Sequence, residues 1–505
     1  MKRSIYLLLF SYLLITSCNK TLDVDSTRVV GEKNMWNSRE DTRAALVGVY
    51  GLARAALASK EGHWLYGDLR GGSFVSINRQ DLRAVIGNQL NAAYPTVTEL
   101  TDWRRFYAVI NAANLFIEHA EEVRQKDPQY SEQNMIVDVG QMRAMRAFIY
   151  YYMVRIWGDV PLITSSFDGK FENKPREDQN RVLAFAQQEL LYAAEVLPYL
   201  YARDDPQQTG NFYYNEDAAR WNGVLVRKLT AYAMLAHVAA WQGNYSDVAR
   251  YTKFIIDNQT RGDMPYSQTG FLTGENGIFA YKYREVLWGF NFDWGHIEAS
   301  TAGHLENLTL ATPVVSKALP DIYVPKDSVL SIFNEARDNR FEQDSLGNPL
   351  RDRVYFTSIN NVYPIFSKVK VIQGSVTTPN ESLRLFASGI VFTRLEEITL
   401  LRAEALAVLG DRPGAIEMLN IIRNLRGLPN YNETANGSLI GAIFKERQRE
   451  LMGEGWRWYD QVRYNKIVGN NAAFNDLITR GGIYWPISRA LISQNPLLKQ
   501  NAYWQ

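Results

Sequence analysis

The most regular hydrophobic periodicity in the chain predicts helices that come in pairs. Apolar residues recur close to every 3.6 positions in four segments, which is the period of one helical face. The predicted pairs are 224–241 with 247–256, and 398–409 with 415–425. A glycine turn separates the members of each pair, at Gly243 and at Gly410. Small residues at a helix crossing, with a glycine turn between the helices, resemble a tetratricopeptide unit.

Other segments complete a mainly helical prediction. The stretches 64–78 and 258–390 lack a helical period and contain many loop-forming residues. We therefore expect a mainly α fold in which tetratricopeptide-like helix pairs support a loop-rich, partly β face, where binding sites usually lie. No low-complexity linker divides the chain into separate halves. The remaining predicted elements are helices at 108–122 and 141–157 and strands at 286–292 and 353–356.

The first 18 residues have the pattern of a bacterial lipoprotein signal. Lys2 and Arg3 precede an apolar run that is shorter than the roughly 20 residues needed to span a bilayer. The run ends in Ile-Thr-Ser-Cys, which resembles a lipobox, and Cys18 is the only cysteine of the chain. We predict that residues 1–17 are a signal peptide of the lipoprotein type and that lipid is attached to Cys18. An ordinary signal peptide that ends near a cysteine is the alternative.

Composition and charge limit the classes of function that fit this protein. The 505 residues include 55 basic and 54 acidic side chains, so the charge balance gives no electrostatic reason to expect nucleic acid. Charged residues interrupt each of the remaining apolar stretches before it reaches membrane-spanning length. Aromatic residues make up 12% of the chain, and their flat faces suit a ligand as well as a core.

Motifs for catalysis, metals and cofactors are missing from the sequence. His296 and His304 are eight positions apart without a cluster of acids, which is not a metal-ligand spacing. Neither a phosphate-binding glycine loop nor a Gly-x-Ser-x-Gly elbow occurs, and no cofactor is predicted. Glu446, Glu450 and Glu454 recur every four residues, but carboxylates on one helical face do not flank a glycosidic bond. A helix salt-bridged by neighbouring arginines is the favoured interpretation.

Four segments in chain order resemble signature segments of the SusD/RagB family of Bacteroidetes outer-membrane lipoproteins. They are MRAMRAFIYYYMVRIWGDVPLI (142–163), LEEITLLRAEALAVLGDRPGAIEMLNIIRNLRGLP (395–429), KERQRELMGEGWRWYDQVR (445–463) and WPISRALISQNPLLKQNAYW (485–504). The chain departs from the family pattern at Ser488, where a proline is usual, and at Ala502, which replaces a late proline. The resemblance runs nearly end to end, and the chain is identified as a member of this family.

The resemblance implies a nutrient-capture protein that performs no catalysis and needs no cofactor. Family members are lipid-anchored at the outer membrane, and they close like a lid over a SusC-like, TonB-dependent transporter. Acidic residues often follow the cysteine in exported members, and here Asp23 and Asp25 stand slightly further on. We therefore expect an outer-membrane protein that faces the cell exterior. The implied regions are a single SusD-like domain at 18–505, with N-terminal and loop-rich regions at about 18–140 and 258–390 around a helical scaffold at 141–257 and 391–505.

One aromatic and polar segment is a first candidate for ligand contact, since sugar binding needs ring faces together with acids, amides or arginines. It contains Trp64, Tyr66, Asp68 and Arg70 beside three glycines, which leave room for a ligand to approach. Its place in the chain corresponds to a region near the ligand site of family members. The alternative is that the aromatic residues belong to the core, with Asp68 and Arg70 capping neighbouring elements.

A second candidate segment, 291–296, follows a predicted strand and also borders the binding face in family members. Trp294 is predicted to stack on the ligand, and His296 is predicted to contact it. The alternative is that Trp294 only covers the end of the strand. Arg394 is a further candidate for the site, with pairing to Glu397 or to another neighbour on the helix as the alternative. Balanced charge and many aromatic residues favour an oligosaccharide ligand. Peptide capture by the same architecture is the alternative, and a lipid-anchored glycoside hydrolase is a third hypothesis.

Overall fold

The computed structural model of the chain describes residues 35–167, 173–208, 213–221, 223–274, 277–280, 284–292, 296, 298–341, 355–373 and 385–505. Within these ranges the protein is mainly helical with a few short strands, as the sequence predicts. The signal segment, Cys18 and Trp294 lie outside the described residues. The predictions made for them therefore stay predictions.

The described α-helices vary from single turns to more than six turns. They are α1 Arg39–Ala58, α2 Gly62–Gly67, α3 Gln80–Ile86, α4 Pro95–Leu100, α5 Arg104–Lys126, α6 Glu132–Trp157, α7 Gln179–Val196, α8 Ala218–Trp221, α9 Lys228–Gln242, α10 Tyr245–Asp257, α11 Thr269–Thr273, α12 Glu306–Thr309, α13 Lys326–Ile332, α14 Leu395–Val408, α15 Arg412–Leu425, α16 Glu433–Asn436, α17 Leu439–Glu450, α18 Arg457–Val468, α19 Ala472–Thr479 and α20 Arg489–Gln494. Short 3-10 turns occupy Ser59–Glu61, Leu69–Gly71, Tyr213–Asn215 and Ala502–Trp504.

The described strands form antiparallel pairs. They are β1 Val75–Ser76, β2 Val286–Phe290, β3 Ile322–Tyr323, β4 Phe356–Thr357, β5 Ile365–Phe366, β6 Ile372–Gln373, β7 Leu385–Phe386 and β8 Ile390–Arg394. β1 pairs with β3, β2 with β8, β4 with β5, and β6 with β7.

The long helices pack side by side in an order that largely follows the chain. α1 packs on α5, α5 on α6, α6 on α7, α7 on α9, and α9 on α10. α10 in turn packs on α14, which also contacts α15 and α17. The two predicted tetratricopeptide-like pairs, α9 with α10 and α14 with α15, are therefore neighbours in one stack, although the loop-rich segment separates them along the chain.

The turns within these two pairs have the same local cause. Gly243 follows α9 with a φ of 79°, and Gly410 follows α14 with a φ of 86°. Both angles lie in the left-handed region, where a side chain is strained. The side chains of Asn244 and Asp411 then accept hydrogen bonds from the first turn of the next helix. The predicted glycine turns are confirmed.

Two expectations about the helices are wrong in detail. The helix predicted from residue 224 begins at Lys228, because Arg227 is still extended. No helix was predicted before residue 108, whereas α1 lies there. A capping box between Ser38 and Asp41 starts α1.

The strand predicted at 286–292 is confirmed over its first five residues. β2 pairs with β8, with Gly289 opposite Val391, and both strands are buried along their whole length. The strand predicted at 353–356 meets the described structure at Phe356, where β4 begins. Strands and helices share one hydrophobic core. None of the described helices is both long and apolar enough to span a bilayer.

Candidate functional site

The first predicted ligand segment lies inside the protein. α2 and the turn Leu69–Gly71 carry it, and Trp64 and Tyr66 are only 3% and 1% exposed. The Trp64 indole N–H donates to the carbonyl oxygen of Gly453 at 3.1 Å, and the Tyr66 hydroxyl donates to that of Leu100 at 2.6 Å. Both polar atoms are therefore satisfied within the core, and neither ring offers a face to a ligand.

Asp68 and Arg70 fasten this segment to the C-terminal part of the chain. The Asp68 carboxylate accepts a hydrogen bond from the Gly455 backbone N–H at 2.6 Å, and burial raises the pKa of Asp68 to about 7. The Arg70 guanidinium donates to the carbonyl groups of residues 482 and 483. It also lies 4.0 Å from the ring centroid of Trp458. Burial lowers the pKa of Arg70 to about 9.

Gly67 makes room for backbone rather than for a ligand. A Cβ on Gly67 would lie 2.0 Å from the carbonyl oxygen of Gly455, which no side chain can tolerate. The segment therefore packs directly on the loop that follows α17. Because their side chains are buried in this contact, ligand contact is not supported for Trp64, Tyr66, Asp68 and Arg70.

Trp64→Phe is expected to lower the free energy of unfolding by about 1–2 kcal/mol and to leave ligand affinity unchanged. Phenylalanine keeps most of the ring volume but lacks the N–H, so the Gly453 carbonyl loses its donor in the core. Urea denaturation followed by circular dichroism measures the first quantity, and calorimetric titration with an oligosaccharide measures the second. Weaker binding at unchanged stability would contradict the core assignment.

Arg394, the third predicted contact, lies at the end of β8 in a buried cluster of ion pairs. Its guanidinium donates to Glu450 at 2.7 Å and to Glu454 at 2.9 Å, and the side chain is fully buried. Of the alternative partners on the following helix, Glu396 lies 3.1 Å from the Arg394 guanidinium, whereas Glu397 accepts a hydrogen bond from Arg447 at 3.0 Å. Arg394 thus joins β8 to the end of α17, and ligand contact is not supported for it.

The regularly spaced glutamates belong to the same cluster. α17 ends at Glu450, so Glu446 and Glu450 lie on it and Glu454 lies beyond it. Arg340 reaches Glu446 at 2.6 Å and Glu450 at 2.9 Å, and Arg426 reaches Glu450 at 2.7 Å. Although burial by itself raises the pKa of Glu450, the arginines hold that pKa well below its ordinary value. The salt-bridge interpretation is confirmed, but the partners come mainly from distant segments.

The second predicted segment borders a surface pocket. Asn291 and Phe292, directly after β2, line a cavity of about 230 Å³. His296 is described and exposed, whereas Trp294, which comes between Phe292 and His296 in the chain, is not described. Ligand contact by Trp294 and His296 therefore stays a prediction, now attached to a defined cavity.

The pocket has an apolar floor of aromatic residues. Tyr50 of α1, Trp221 of α8 and Phe290 of β2 line it and are buried. The Trp221 indole N–H donates to the carbonyl oxygen of Tyr213 at 3.2 Å, and the Tyr50 hydroxyl donates to Gln141 at 2.9 Å. These hydrogen bonds hold two of the three rings in place, so the floor is rigid before any ligand arrives.

A fixed ion pair stands at the rim of the pocket. The Arg54 guanidinium makes two parallel hydrogen bonds to the Glu298 carboxylate, at 2.6 and 2.8 Å. It also donates to the carbonyl oxygen of Asn291 at 2.6 Å and lies 4.7 Å from the Phe292 ring centroid. The two charged side chains are 26% and 30% exposed, so they are ordered by the protein and still open to solvent.

His304 supports the pocket from below rather than binding a metal. Its ring contacts Phe292 edge-on with centroids 4.5 Å apart. Its Nδ1 lies 3.1 Å from the carbonyl oxygen of Ser388, which requires that Nδ1 carries the proton. Burial lowers the pKa of His304 to about 4, so the ring is neutral at pH 7.

The pocket combines ring surfaces, an ion pair and an amide in one place, which is the set of groups that holds a sugar. Sequence reasoning missed Arg54, Trp221 and Glu298, because they come from separate segments. The one local signal was the capped, amphipathic sequence of α1, which places Arg54 on a partly exposed helix.

Comparison with known proteins agrees with the fold. A family model described as "SusD family" matches residues 360–504, and one described as "Starch-binding associating with outer membrane" matches residues 32–210. A SusD superfamily protein of Bacteroides thetaiotaomicron VPI-5482, known from a crystal structure, is 48% identical to this chain. The similarity covers 93% of this chain and 99% of that one, with a TM-score of 0.84. The chain belongs to the SusD family.

More distant relatives are also similar over nearly the whole chain. SusD-like protein P38 of Formosa agariphila is 26% identical, over 98% of this chain and 97% of its own length. A SusD homolog of Bacteroides thetaiotaomicron VPI-5482, at 23% identity and a TM-score of 0.74, shares the fold over 93% of this chain and 99% of its own. The family and the fold class predicted from the sequence are confirmed.

Proposed function

We propose that this SusD-family protein captures a glycan at the outer membrane and passes it on chemically unchanged. The observation that carries the proposal is the pocket in which Arg54 and Glu298 are held above an aromatic floor. Ring faces cover the C–H surfaces of a sugar, while charged and amide groups exchange hydrogen bonds with its hydroxyls. A pocket in which both kinds of group are already ordered binds at a lower entropic cost.

The family comparison favours a sugar as the ligand. The model that matches residues 32–210 is described as starch-binding and associated with the outer membrane. That range contains Tyr50 and Arg54, which form one side of the pocket. The predicted platform Trp294 follows Phe292 closely in the chain, so its loop starts at the pocket rim.

The proposed function includes no catalytic step. Hydrolysis of a glycosidic bond uses two carboxylates on opposite sides of that bond, and Glu298 is the one acid among the described residues that line the pocket. Glu446, Glu450 and Glu454 are buried and ion-paired, so no glycosidic bond reaches them. Across the described ranges, no group of three or more histidine, cysteine, aspartate or glutamate residues is arranged to hold a metal ion.

The proposal extends to the anchor and the partner. Lipid on Cys18 would hold the protein at the outer membrane on its exterior face, because several buried acyl chains make anchoring durable. A SusC-like, TonB-dependent transporter would receive the ligand, with this protein closing over it as a lid. Affinity purification of the tagged protein from outer membranes is expected to bring down such a barrel protein, and recovery of the protein alone would contradict the partnership.

A titration panel tests the ligand class. Plant, host and fructan oligosaccharides and a tryptic protein digest are titrated into the mature chain by isothermal calorimetry. Saturable heat with at least one oligosaccharide is expected. Saturable heat with the digest alone would replace the glycan by a peptide. Release of reducing sugar during prolonged incubation would contradict the absence of catalysis.

Cys18→Ala is expected to move the protein from the membrane fraction to the soluble fraction of cells. The substitution removes the thiol to which the diacylglyceryl group would be attached, so no acyl chain enters the bilayer. Fractionation with immunodetection, together with labelling by a radioactive fatty acid, measures both effects. Ser11→Ala, which changes the apolar run but keeps the thiol, serves as the control. Membrane retention of the unlabelled Cys18→Ala protein would contradict the anchor.

A further inference from the structure

A second, polar groove shares no lining residue with the Arg54 pocket. It encloses about 800 Å³, which lies within the range of about 300–1,000 Å³ that is usual for small-molecule sites. α13, α17, α18 and the start of α19 form its walls, together with the turn at Leu69–Gly71. Hydroxyl and amide side chains dominate the lining, among them Ser73, Ser328, Gln448, Gln461, Asn470 and Asn471.

One residue of the groove lining, Arg457, has a guanidinium nitrogen without a hydrogen-bond partner in the described part of the chain. Its Nε is buried and has no hydrogen-bond acceptor among the described residues. Asp460, one turn further along α18, is already ion-paired with Arg447 at 3.0 Å and with Arg463 at 2.8 Å. Burial lowers the pKa of Arg457, and Asp460 and Asp68 only partly offset this effect. The groove therefore contains a guanidinium group that is short of a partner.

The local backbone holds this cation in the groove. A Cβ on Gly71 would lie 2.4 Å from Cγ of Arg457, so the arginine stem occupies the space that a side chain at residue 71 would need. Arg457 is also the first residue of α18, whose N-terminal turn adds partial positive charge. Lys445 brings a second positive charge to the lining, and its ammonium group donates to Asn334 at 2.9 Å. Two carboxylates also line the groove, Asp460, which is ion-paired with Arg447 and Arg463, and the exposed Asp327.

Aromatic side chains complete the lining. Phe474 packs on Trp458 with ring centroids 5.4 Å apart, and Tyr464 packs on Phe444 at 5.3 Å. Phe474, Tyr464 and Phe444 line the groove and offer apolar surface between the amides. Amides and hydroxyls that both donate and accept suit a hydroxyl-rich ligand, whereas the unpartnered guanidinium suits an anion.

We propose that this groove is a second ligand site, which binds a sugar unit that carries a carboxylate or sulfate group, with Arg457 contacting the anion. The site goes beyond the proposed function, because it predicts selection for acidic glycans at a place separate from the Arg54 pocket. Arg457 forms charge-assisted hydrogen bonds with the anionic group, and Gln448, Gln461 and the asparagines bind the ring hydroxyls.

Calorimetric titration of the mature chain tests the site with defined probes. Trigalacturonate and a sulfated galactose trimer are compared with the methyl ester of trigalacturonate and with neutral galactotriose. At least one acidic trimer is expected to bind at least about tenfold more tightly than its neutral counterpart, with an affinity that falls as salt is added. Equal affinities for acidic and neutral trimers, or no binding of either acidic trimer, would overturn the proposal.

Variants locate the binding. Arg457→Gln is expected to weaken the acidic trimer at least about tenfold and to leave circular dichroism unchanged, whereas Arg412→Gln, at an exposed arginine outside the groove, serves as the control. If Arg457→Gln does not fold, Ser331→Trp decides, since Ser331 is exposed and a large ring there obstructs the groove. Full affinity in the folded groove variant would overturn the proposal.

Loss of binding of the acidic trimer in Arg54→Ala alone would overturn it too, by assigning that ligand to the other pocket. Triglutamate binding as tightly as trigalacturonate would overturn the sugar assignment.

Discussion

Glu450→Gln is expected to lower the free energy of unfolding by about 3–5 kcal/mol. The Glu450 carboxylate accepts hydrogen bonds from Arg340 at 2.9 Å and from Arg394 and Arg426 at 2.7 Å, and all four side chains are fully buried. Glutamine keeps the shape of the side chain but removes its charge. Three buried guanidinium groups then lose a counter-charge that they share. Urea denaturation followed by circular dichroism measures the loss.

An exposed ion pair provides the matched control. Glu433 pairs with Arg412 at 2.7 Å, but both side chains are largely exposed. Glu433→Gln is therefore expected to change the free energy of unfolding by no more than about 1 kcal/mol, because water and salt screen such a pair. Equal, small losses in the two variants would show that burial adds nothing to the ion pairs of Glu450.

The pH dependence of the same variant checks the physical cause. The folded-state pKa of Glu450 lies well below the ordinary value of 4.5. A group with a lowered folded-state pKa stabilises the fold fully above its unfolded pKa, and this contribution is lost as the pH falls toward the folded value. The stability difference between the wild type and Glu450→Gln is therefore expected to be constant near neutral pH and to shrink below about pH 4.5. A difference that grows in acid would contradict this account.

Arg54→Ala is expected to weaken glycan binding by about 1.5–3 kcal/mol, a loss of roughly 10- to 150-fold in affinity. The guanidinium is held by Glu298 and by the Asn291 carbonyl at the pocket rim, so its remaining N–H groups are ordered for a ligand. Its removal also uncovers the Phe292 ring. The measurement is calorimetric titration with the oligosaccharide of the panel that binds the wild type most tightly.

Arg43 offers a control on the same helix. It pairs with Glu216 at 2.5 Å, and its side chain is 30% exposed, close to the 26% of Arg54. Arg43 does not line the pocket, and it approaches the pocket only at Trp221, whose ring centroid lies 6.0 Å from its guanidinium. Arg43→Ala is therefore expected to keep full affinity, while its stability changes about as much as that of Arg54→Ala. Full affinity in Arg54→Ala would move the glycan site away from this pocket, and equal losses in both variants would point to a general effect on α1.

The candidate site could be predicted only in part from the sequence. The start of the loop after β2 lies at a pocket, where Asn291 and Phe292 follow a run of buried strand residues. The partners of that loop were not predictable, since Arg54 and Glu298 are 244 positions apart in the chain. Trp64 and Arg70 have the composition of a sugar site, but composition does not indicate burial.

By itself, the sequence determined the helix pairs, their glycine turns and the family, because these depend on local periodicity, on the backbone freedom of Gly243 and Gly410, and on motifs of neighbouring residues. Only the tertiary structure decided which aromatic and charged side chains remain open to a ligand. Burial depends on contacts between segments far apart in the chain. Thus Trp64 donates a hydrogen bond to Gly453 and is buried in the core, whereas Arg54 pairs with Glu298 at the surface and remains accessible to a ligand.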